Sequence, residues 1–420
     1  MKVHPKKHII IVGMGFAGLH AYLTLTRILR ASDNIEITIV SATDSFTFIP
    51  MIHEVATGLL RPDSITYSLR NMVGPYIREF LEGCVTAVDL NTKQVTVALT
   101  EGISKNYSYD TLIMGIGSTT NFFNTQGAEE YALQLKSLDD AKHLKNKILS
   151  AFDDSADHLR IGKSAEVNVV VVGGGATGVE LTGELSDFME LLSTTYSDVR
   201  VPHSITLLDG NDVLVKGAHT WISAKAQKIL EHRPNVKVML NTHVEKVTAQ
   251  GVATHGALIP STLTIWTAGV KASEVAWLPA GAVVVDERSR RIPVDGILRL
   301  SQYSDVYVLG DQALVRSTAC QYPMRAQIAM KQGIATARNI VRTIRGETVV
   351  PFEWDDKGFI LSLGEGGAVA EVRGVRFSGP LAWWVYRTAY LFTLVGIRAK
   401  LRTALEWTIN LFTKRDISRI

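Results

Sequence analysis

The sequence predicts an α/β protein of two Rossmann-like, doubly wound domains followed by a C-terminal amphipathic segment. Three observations predict it. An apolar run leading into Gly13, Gly15 and Gly18 is repeated 160 residues later at Gly173, Gly175 and Gly178. Each copy passes from a strand-like run through glycines into residues of helical period. Residues 380–420 then place apolar side chains at helical spacing beside a local excess of positive charge.

Composition bounds the rest. The 420 residues are 46% hydrophobic and 20% charged, with 12 prolines, which excludes disordered, collagenous and low-complexity classes. At ~100–200 residues per domain the length accommodates about two to four domains. The net charge of +3 is too small for a protein that neutralises phosphates along nucleic acid, so no such partner is expected. Cys84 and Cys320 lie 236 positions apart, with no CxxC, zinc spacing or disulfide framework; no metal site and a reducing compartment are expected. Cys84 reads as inert packing in a buried strand. The start, MKVHPKKHIIIVGMG, has too short an apolar stretch for a signal peptide, so the cytoplasmic side is expected.

The elements follow in order. From His8, HIIIVGMGFAGLHAYLTLTRIL is strand, turn and helix, and IEITIVS completes a β-α-β unit. KQVTVAL and YDTLIMGIGS read as strands, the second ending in a glycine turn. NVVVVGGGATGVELTGELSDFM, from Asn168, repeats the first plan and leads to the strand SITLLD. SDVYVLGDQA is a further strand with a glycine turn, and residues 325–342 read as a helix. Domain edges are set at 1–124 and 279–349 for the two parts of the first domain, 125–278 for the second, and 350–420 for the tail.

The glycines carry chemistry. Gly13 permits a tight turn, Gly15 lets backbone approach a pyrophosphate, and Gly18 allows close helix packing; Phe16 and Ala17 begin the helix whose N–H groups face the anion. At the end of the second strand, where an acid usually holds ribose, the chain has Ser41. The second copy, with Gly173, Gly175, Ala176, Thr177 and Gly178, does have its acid, Asp209. A carboxylate there accepts from a ribose 2′-hydroxyl and repels a 2′-phosphate, so NADH is expected over NADPH. Glu180, just past the last glycine, reads as an acid in the first helical turn. Two nucleotide sites imply two nucleotides, and flavin is the usual acceptor of hydride from NADH.

At this point the chain resembles the two-dinucleotide-domain flavoprotein disulfide reductase superfamily, and within it the type II NADH dehydrogenases. The resemblance runs through the glycine motifs, FIPMIHEVATG, GSTTNFF, KSLDDA, TIWTAGVKA, VYVLGDQA and AQIAMKQG. It implies a glutathione-reductase-like fold, FAD in the first domain and NADH in the second, with two electrons passed to a membrane quinone without proton pumping. It also implies roles: Asp311, after Gly310, for the flavin ribityl chain; Pro50 and Gly117 near the flavin; Glu180 close to the nicotinamide, with Thr267, Ala268 and Gly269 beneath it. Ala326 and Gln327 fall in the cofactor site, Gln327 on the quinone side of the ring, where Lys331 replaces a family glutamine. The dithiol relatives need a CxxxxC pair, and FTFIPMIHEV has none. A sulfide:quinone oxidoreductase needs two suitably placed cysteines, for which Cys84 and Cys320 are a poor match. Lys331 and Ser41 motivate one further alternative, a membrane-attached redox sensor without quinone turnover.

Residues 380–420 hold seven basic and two acidic side chains. Ile397, Leu401, Leu405, Thr408 and Phe412 form an apolar stripe opposite Arg398, Arg402, Glu406, Asn410 and Lys414, while Trp383, Trp384, Tyr386, Tyr390 and Trp407 suit a headgroup boundary. The expectation is a peripheral protein on the cytoplasmic face of a bacterial inner membrane, held on anionic lipid, with a homodimer left open.

Overall fold

The computed structural model describes residues 6–72, 74–99, 102–315 and 321–420. The chain divides into two compact units. One is formed by Met1–Phe46, Ser68–Thr119 and Val270–Asp355, the other by Thr47–Tyr67, Thr120–Gly269 and Asp356–Ile420.

The first unit is built on a sheet whose central strand, Lys7–Val12, is buried from His8 onward. A strand covered on both faces reads as a continuous apolar run rather than an alternation. It pairs in parallel with Ile35–Ser41 on one side and Thr111–Met114 on the other, and Tyr303–Val308 continues the parallel order. The chain therefore leaves the central strand at a point where neighbouring strands run to opposite sides, the place where such sheets open a crevice. Helix Phe16–Ile28 packs against helix Ala326–Arg345. A Cβ on Gly333 would lie 2.2 Å from the Ala17 carbonyl oxygen, so that approach requires glycine. Strand Ile77–Asp89 is parallel to Ile35–Ser41 in its first half and antiparallel to Gln94–Leu99 in its second. Cys84 sits in that second half and is exposed, which corrects the buried placement: an antiparallel extension leaves one face to water. Cys320 lies outside the described residues.

The second unit has a parallel sheet in the order Ala132–Gln134, Leu263–Trp266, Val167–Val172, His203–Leu208, Val236–Met239. Helix Leu138–Arg160 begins at a capping box in which the Ser137 hydroxyl accepts from the Asp140 N–H. Helix Ala176–Ser193 follows the central strand. A three-stranded antiparallel sheet, Gly358–Ser362, Ala368–Val372 and Val375–Ser378, leads into helices Pro380–Thr393 and Ile397–Ile409. Pro380 opens the first of these, where its missing N–H is no loss. The short helix Ile52–Ala56 is buried throughout.

The tail has three faces rather than two. Ile397, Leu401, Leu405 and Phe412 are exposed, as expected of the apolar stripe, but Ala399, Thr403 and Trp407 are buried on a face the two-sided reading lacks. Trp383, Tyr386 and Trp407 are packed inside this unit, correcting their assignment to a headgroup boundary; Trp384 is exposed. Arg387 is buried with its guanidinium 3.5 Å from the Trp383 ring centroid and 4.9 Å from that of Trp407. It is therefore unavailable to lipid, because its charge is spent on aromatic faces. Among the described residues no helix is long and apolar enough to cross a membrane.

Candidate functional site

The two glycine loops have the same geometry, one in each unit. Gly13 and Gly173 have φ of +84° and +110°, a region that favours glycine. A Cβ on Gly18 would sit 1.9 Å from the Gly13 carbonyl oxygen, and one on Gly178 would sit 1.9 Å from that of Gly173. Gly15 and Gly175 are the reverse: no atom lies within 4 Å of where their Cβ would be. Both stand at the start of helices with no side-chain cap and no acid in the first turn. Each loop thus presents a helix N-terminus beside open space, which fits a pyrophosphate.

In the first unit, Gly310 has φ of +66° and its N–H donates to Gln332 Oε1 at 2.6 Å. The Ser118 hydroxyl donates to Asp311 Oδ2 at 2.5 Å. The Ile116 N–H donates to Gln312 Oε1, whose amide donates in turn to the Ser273 carbonyl. Asp311 and Gly310 are thereby fixed beside the open turn at Gly117, where again no atom lies within 4 Å of a Cβ position. Phe16 meets Phe46 edge to face at 5.1 Å between centroids, and Ala17 is buried. Ser41 is buried at the end of its strand. Ala326 begins its helix, and Gln327 and Lys331 are exposed on it, with Lys331 close enough to His20 to help hold that imidazole below its ordinary value after burial.

In the second unit, Asp209 Oδ2 accepts the Gly174 N–H at 2.5 Å, and Oδ1 accepts both the backbone and side-chain N–H of Asn211. The acid is thus a brace for the glycine loop. Ala268 abuts Gly173, with its Cα 2.4 Å from a Cβ built there, and the Gly269 carbonyl accepts from the Asn121 N–H. The Thr267 hydroxyl donates to the Val172 carbonyl at 3.0 Å. Pro50 lies in the turn Ile49–Met51 of the same unit.

Glu180 is buried and lies beyond the first turn of its helix, which corrects its reading as a first-turn acid. Its Oε1 accepts the Ser362 N–H at 3.3 Å, and its Oε2 lies 4.0 Å from His53 Nδ1. Burial pushes its carboxyl well above the usual range, with Glu54 and Glu184 adding repulsion. Glu54 accepts from Tyr386 Oη at 3.2 Å and from Trp407 Nε1 at 2.8 Å. Burial, then the charge of Glu184, pushes Glu54 up to about 7. Burial takes His53 down to about 3, so its ring is neutral. Glu184 pairs with Arg415 at 2.8 Å, both buried.

His53, Glu54, Glu184, Tyr386, Arg387 and Arg415 were not singled out from sequence as site residues. A signal existed: Glu180, Glu184 and Asp187 fall on one helical face, and HE stands inside the FIPMIHEVATG motif. Gln332 and Gln312, which brace the Asp311 loop, left no such pattern. Among the described residues no cluster of His, Cys, Asp or Glu could hold a metal.

Residues 7–333 match the family described as pyridine nucleotide-disulphide oxidoreductase. The type II NADH:quinone oxidoreductase Ndh of Mycobacterium tuberculosis is 29% identical over 98% of this chain and 89% of its own length. NDH2 of Plasmodium falciparum, solved in complex with NADH, superposes with a TM-score of 0.88 at 20% identity, covering 98% of this chain and all of that one. The sulfide:quinone oxidoreductase of Aquifex aeolicus superposes with a TM-score of 0.74 at 18% identity, covering 97% and 96%.

Proposed function

This chain belongs to the pyridine nucleotide-disulphide oxidoreductase family, and from that premise we propose that it is an FAD-dependent, non-proton-pumping NADH:quinone oxidoreductase of the type II class. The observation that carries the reading is the pair of matched, open glycine cradles, one per unit, on a chain whose curated relatives of near-equal length are NADH:quinone oxidoreductases. Bound flavin supplies the hydride-accepting and electron-donating chemistry.

The chain's own residues bind and orient. The open position at Gly15 and the N–H groups of Phe16 and Ala17 suit the FAD pyrophosphate. Asp311, held by Ser118, suits the ribityl hydroxyls, and Ser41 is available to the ribose. Gly175, Ala176 and Thr177 receive the NADH pyrophosphate. Asp209, besides bracing Gly174, repels a 2′-phosphate and favours NADH. Thr267, Ala268 and Gly269 form the floor for the nicotinamide, with Glu180 beside it. Gln327 and Lys331 serve the quinone, Lys331 as an exposed cation. The exposed stripe Ile397, Leu401, Leu405 and Phe412, with Arg398 and Lys400 near it, docks the protein on the cytoplasmic face of an anionic membrane.

The sulfide alternative has the weaker residue case: Cys84, one of the two cysteines it would use, is exposed on an antiparallel strand. The test is anaerobic absorbance of the detergent-purified protein. NADH bleaches the flavin and a soluble quinone restores it. Bleaching by sulfide but not by NADH would overturn the reading, and bleaching without recovery would leave the sensor role.

A further inference from the structure

The second unit buries a row of proton-bearing groups of which three, Glu54, Tyr386 and His53, have no part in the nucleotide binding proposed above. They run Glu54, Tyr386, His53, Glu180: Tyr386 Oη to Glu54 Oε1 is 3.2 Å, Tyr386 Oη to His53 Nε2 is 3.4 Å, and His53 Nδ1 to Glu180 Oε2 is 4.0 Å. All four are buried. We propose that Glu54 stores a proton and that Tyr386 and His53 pass it to Glu180 by a concerted shift of hydrogen bonds.

The shift balances without any side chain other than the two carboxyls changing charge. The Tyr386 hydroxyl, which donates to Glu54 Oε1 while that group is a carboxylate, turns to His53 Nε2 once Glu54 is protonated. Glu54 then gives its proton to Tyr386 Oη, Tyr386 gives its own to His53 Nε2, and His53 releases the one on Nδ1 to Glu180 whenever that group has become a carboxylate. Three bonds to hydrogen break and three form. Glu54 ends as a carboxylate and Glu180 as an acid, with the imidazole in its other tautomer. A ring held neutral by burial is what such a shift requires. The 4.0 Å between His53 Nδ1 and Glu180 Oε2 exceeds hydrogen-bond length, so the last transfer requires the two side chains to approach. The inference rests on the NADH:quinone reading, whose balance, NADH + H⁺ + Q → NAD⁺ + QH₂, takes one proton from the protein side.

The surroundings suit storage. Glu184 repels charge on Glu54, whereas Arg387, the Trp407 N–H and the Tyr386 hydroxyl favour it. Arg415 neutralises Glu184 and opposes a proton on His53. Desolvation, then the charges of Glu180 and Glu54, pushes the hydroxyl of half-buried Tyr390 up. The opposing influences leave Glu54 divided between its two forms near neutral pH.

These are positioning residues acting through Glu180, and Tyr386→Phe is the direct test because it keeps the ring and removes only the hydroxyl. In stopped flow, NADH bleaches the flavin of the variant at the wild-type rate, while reoxidation by a soluble quinone slows roughly 10²-fold. The wild-type reoxidation rate falls as pH rises through about 7, and this limb is absent in Tyr386→Phe and in Glu54→Gln. Independently of turnover, the cofactor-free protein shows an infrared carboxyl C=O band that titrates near neutral pH and vanishes in Glu54→Gln. Wild-type reoxidation with an intact pH limb in both variants overturns the relay, as does a Glu54 band absent at every pH. Wild-type flavin that NADH does not bleach, or that quinone does not restore, overturns the enzyme reading instead and the relay with it.

Discussion

Gly15 and Gly18 stand three residues apart and answer an added methyl group in opposite ways. At Gly15 there is open space, so Gly15→Ala leaves the melting temperature of the cofactor-free protein unchanged while its flavin content on purification collapses. At Gly18 the methyl meets a carbonyl oxygen at 1.9 Å, so Gly18→Ala also destabilises the fold, by about 1–3 kcal/mol. Calorimetry and flavin absorbance on the two variants separate binding from folding. Glu54 makes a pH-linked prediction. Its folded-state value, about 7, exceeds the ordinary 4.5, so the folded chain keeps a proton the unfolded chain has released. The resulting penalty is absent below pH 4.5, grows as pH rises, and is complete above about 7, where it amounts to about 3 kcal/mol. Glu54→Gln therefore raises the melting temperature at about pH 8 and leaves it unchanged near pH 4.5. His53 works in the other direction: its depressed value, about 3 against 6.5, removes stability as pH falls through that interval, because the unfolded ring takes up a proton the folded one refuses. The glycines were legible in sequence because a strand, a turn and a helix surround them. Glu54 was legible only as a carboxyl inside an apolar motif, because its burial beside Glu180 and Glu184 depends on segments distant in the chain.

At the scale of elements, the two C-terminal helices show how far periodicity reaches. Their apolar spacing was readable, and Ile397, Leu401, Leu405 and Phe412 are indeed exposed. Leu401→Glu combined with Phe412→Glu lowers co-sedimentation with anionic vesicles at least ~10-fold and changes the melting temperature little, since neither side chain is packed. The face carrying Ala399, Thr403 and Trp407 was missed because small, polar and aromatic residues do not make an apolar stripe. That face is fixed by hydrogen bonds: Thr403 donates to the Ser64 carbonyl at 2.9 Å, Asn410 to that of Leu59 at 2.6 Å, and Trp407 to Glu54. Arg387 joins the two helices by stacking between Trp383 and Trp407. Arg387→Ala loosens both helices at about 2 kcal/mol, read as faster proteolysis beyond residue 380 with the remainder of the chain intact.

For the whole molecule, duplication of one nucleotide-binding plan is the organising fact, and Asp209 tests its use. Asp209→Ala removes both the brace on Gly174 and the negative charge, so the Michaelis constant for NADH rises and the preference over NADPH narrows; unchanged constants for both nucleotides would refute the role. Residue spacing specifies the two β-α-β units, their glycine turns, the parallel strands that carry them and an amphipathic tail. Each of these follows from spacing among residues within a few turns of one another, and local sterics and periodicity are sufficient to specify them. Tertiary structure alone decided that Cys84 is exposed, that Arg387 and Trp407 turn inward, and that His53, Glu54, Glu180, Glu184 and Tyr386 share one buried site. Those groups come from segments more than 100 residues apart in the chain. Their chemistry depends on desolvation and mutual charge, quantities that exist only once the segments have packed together.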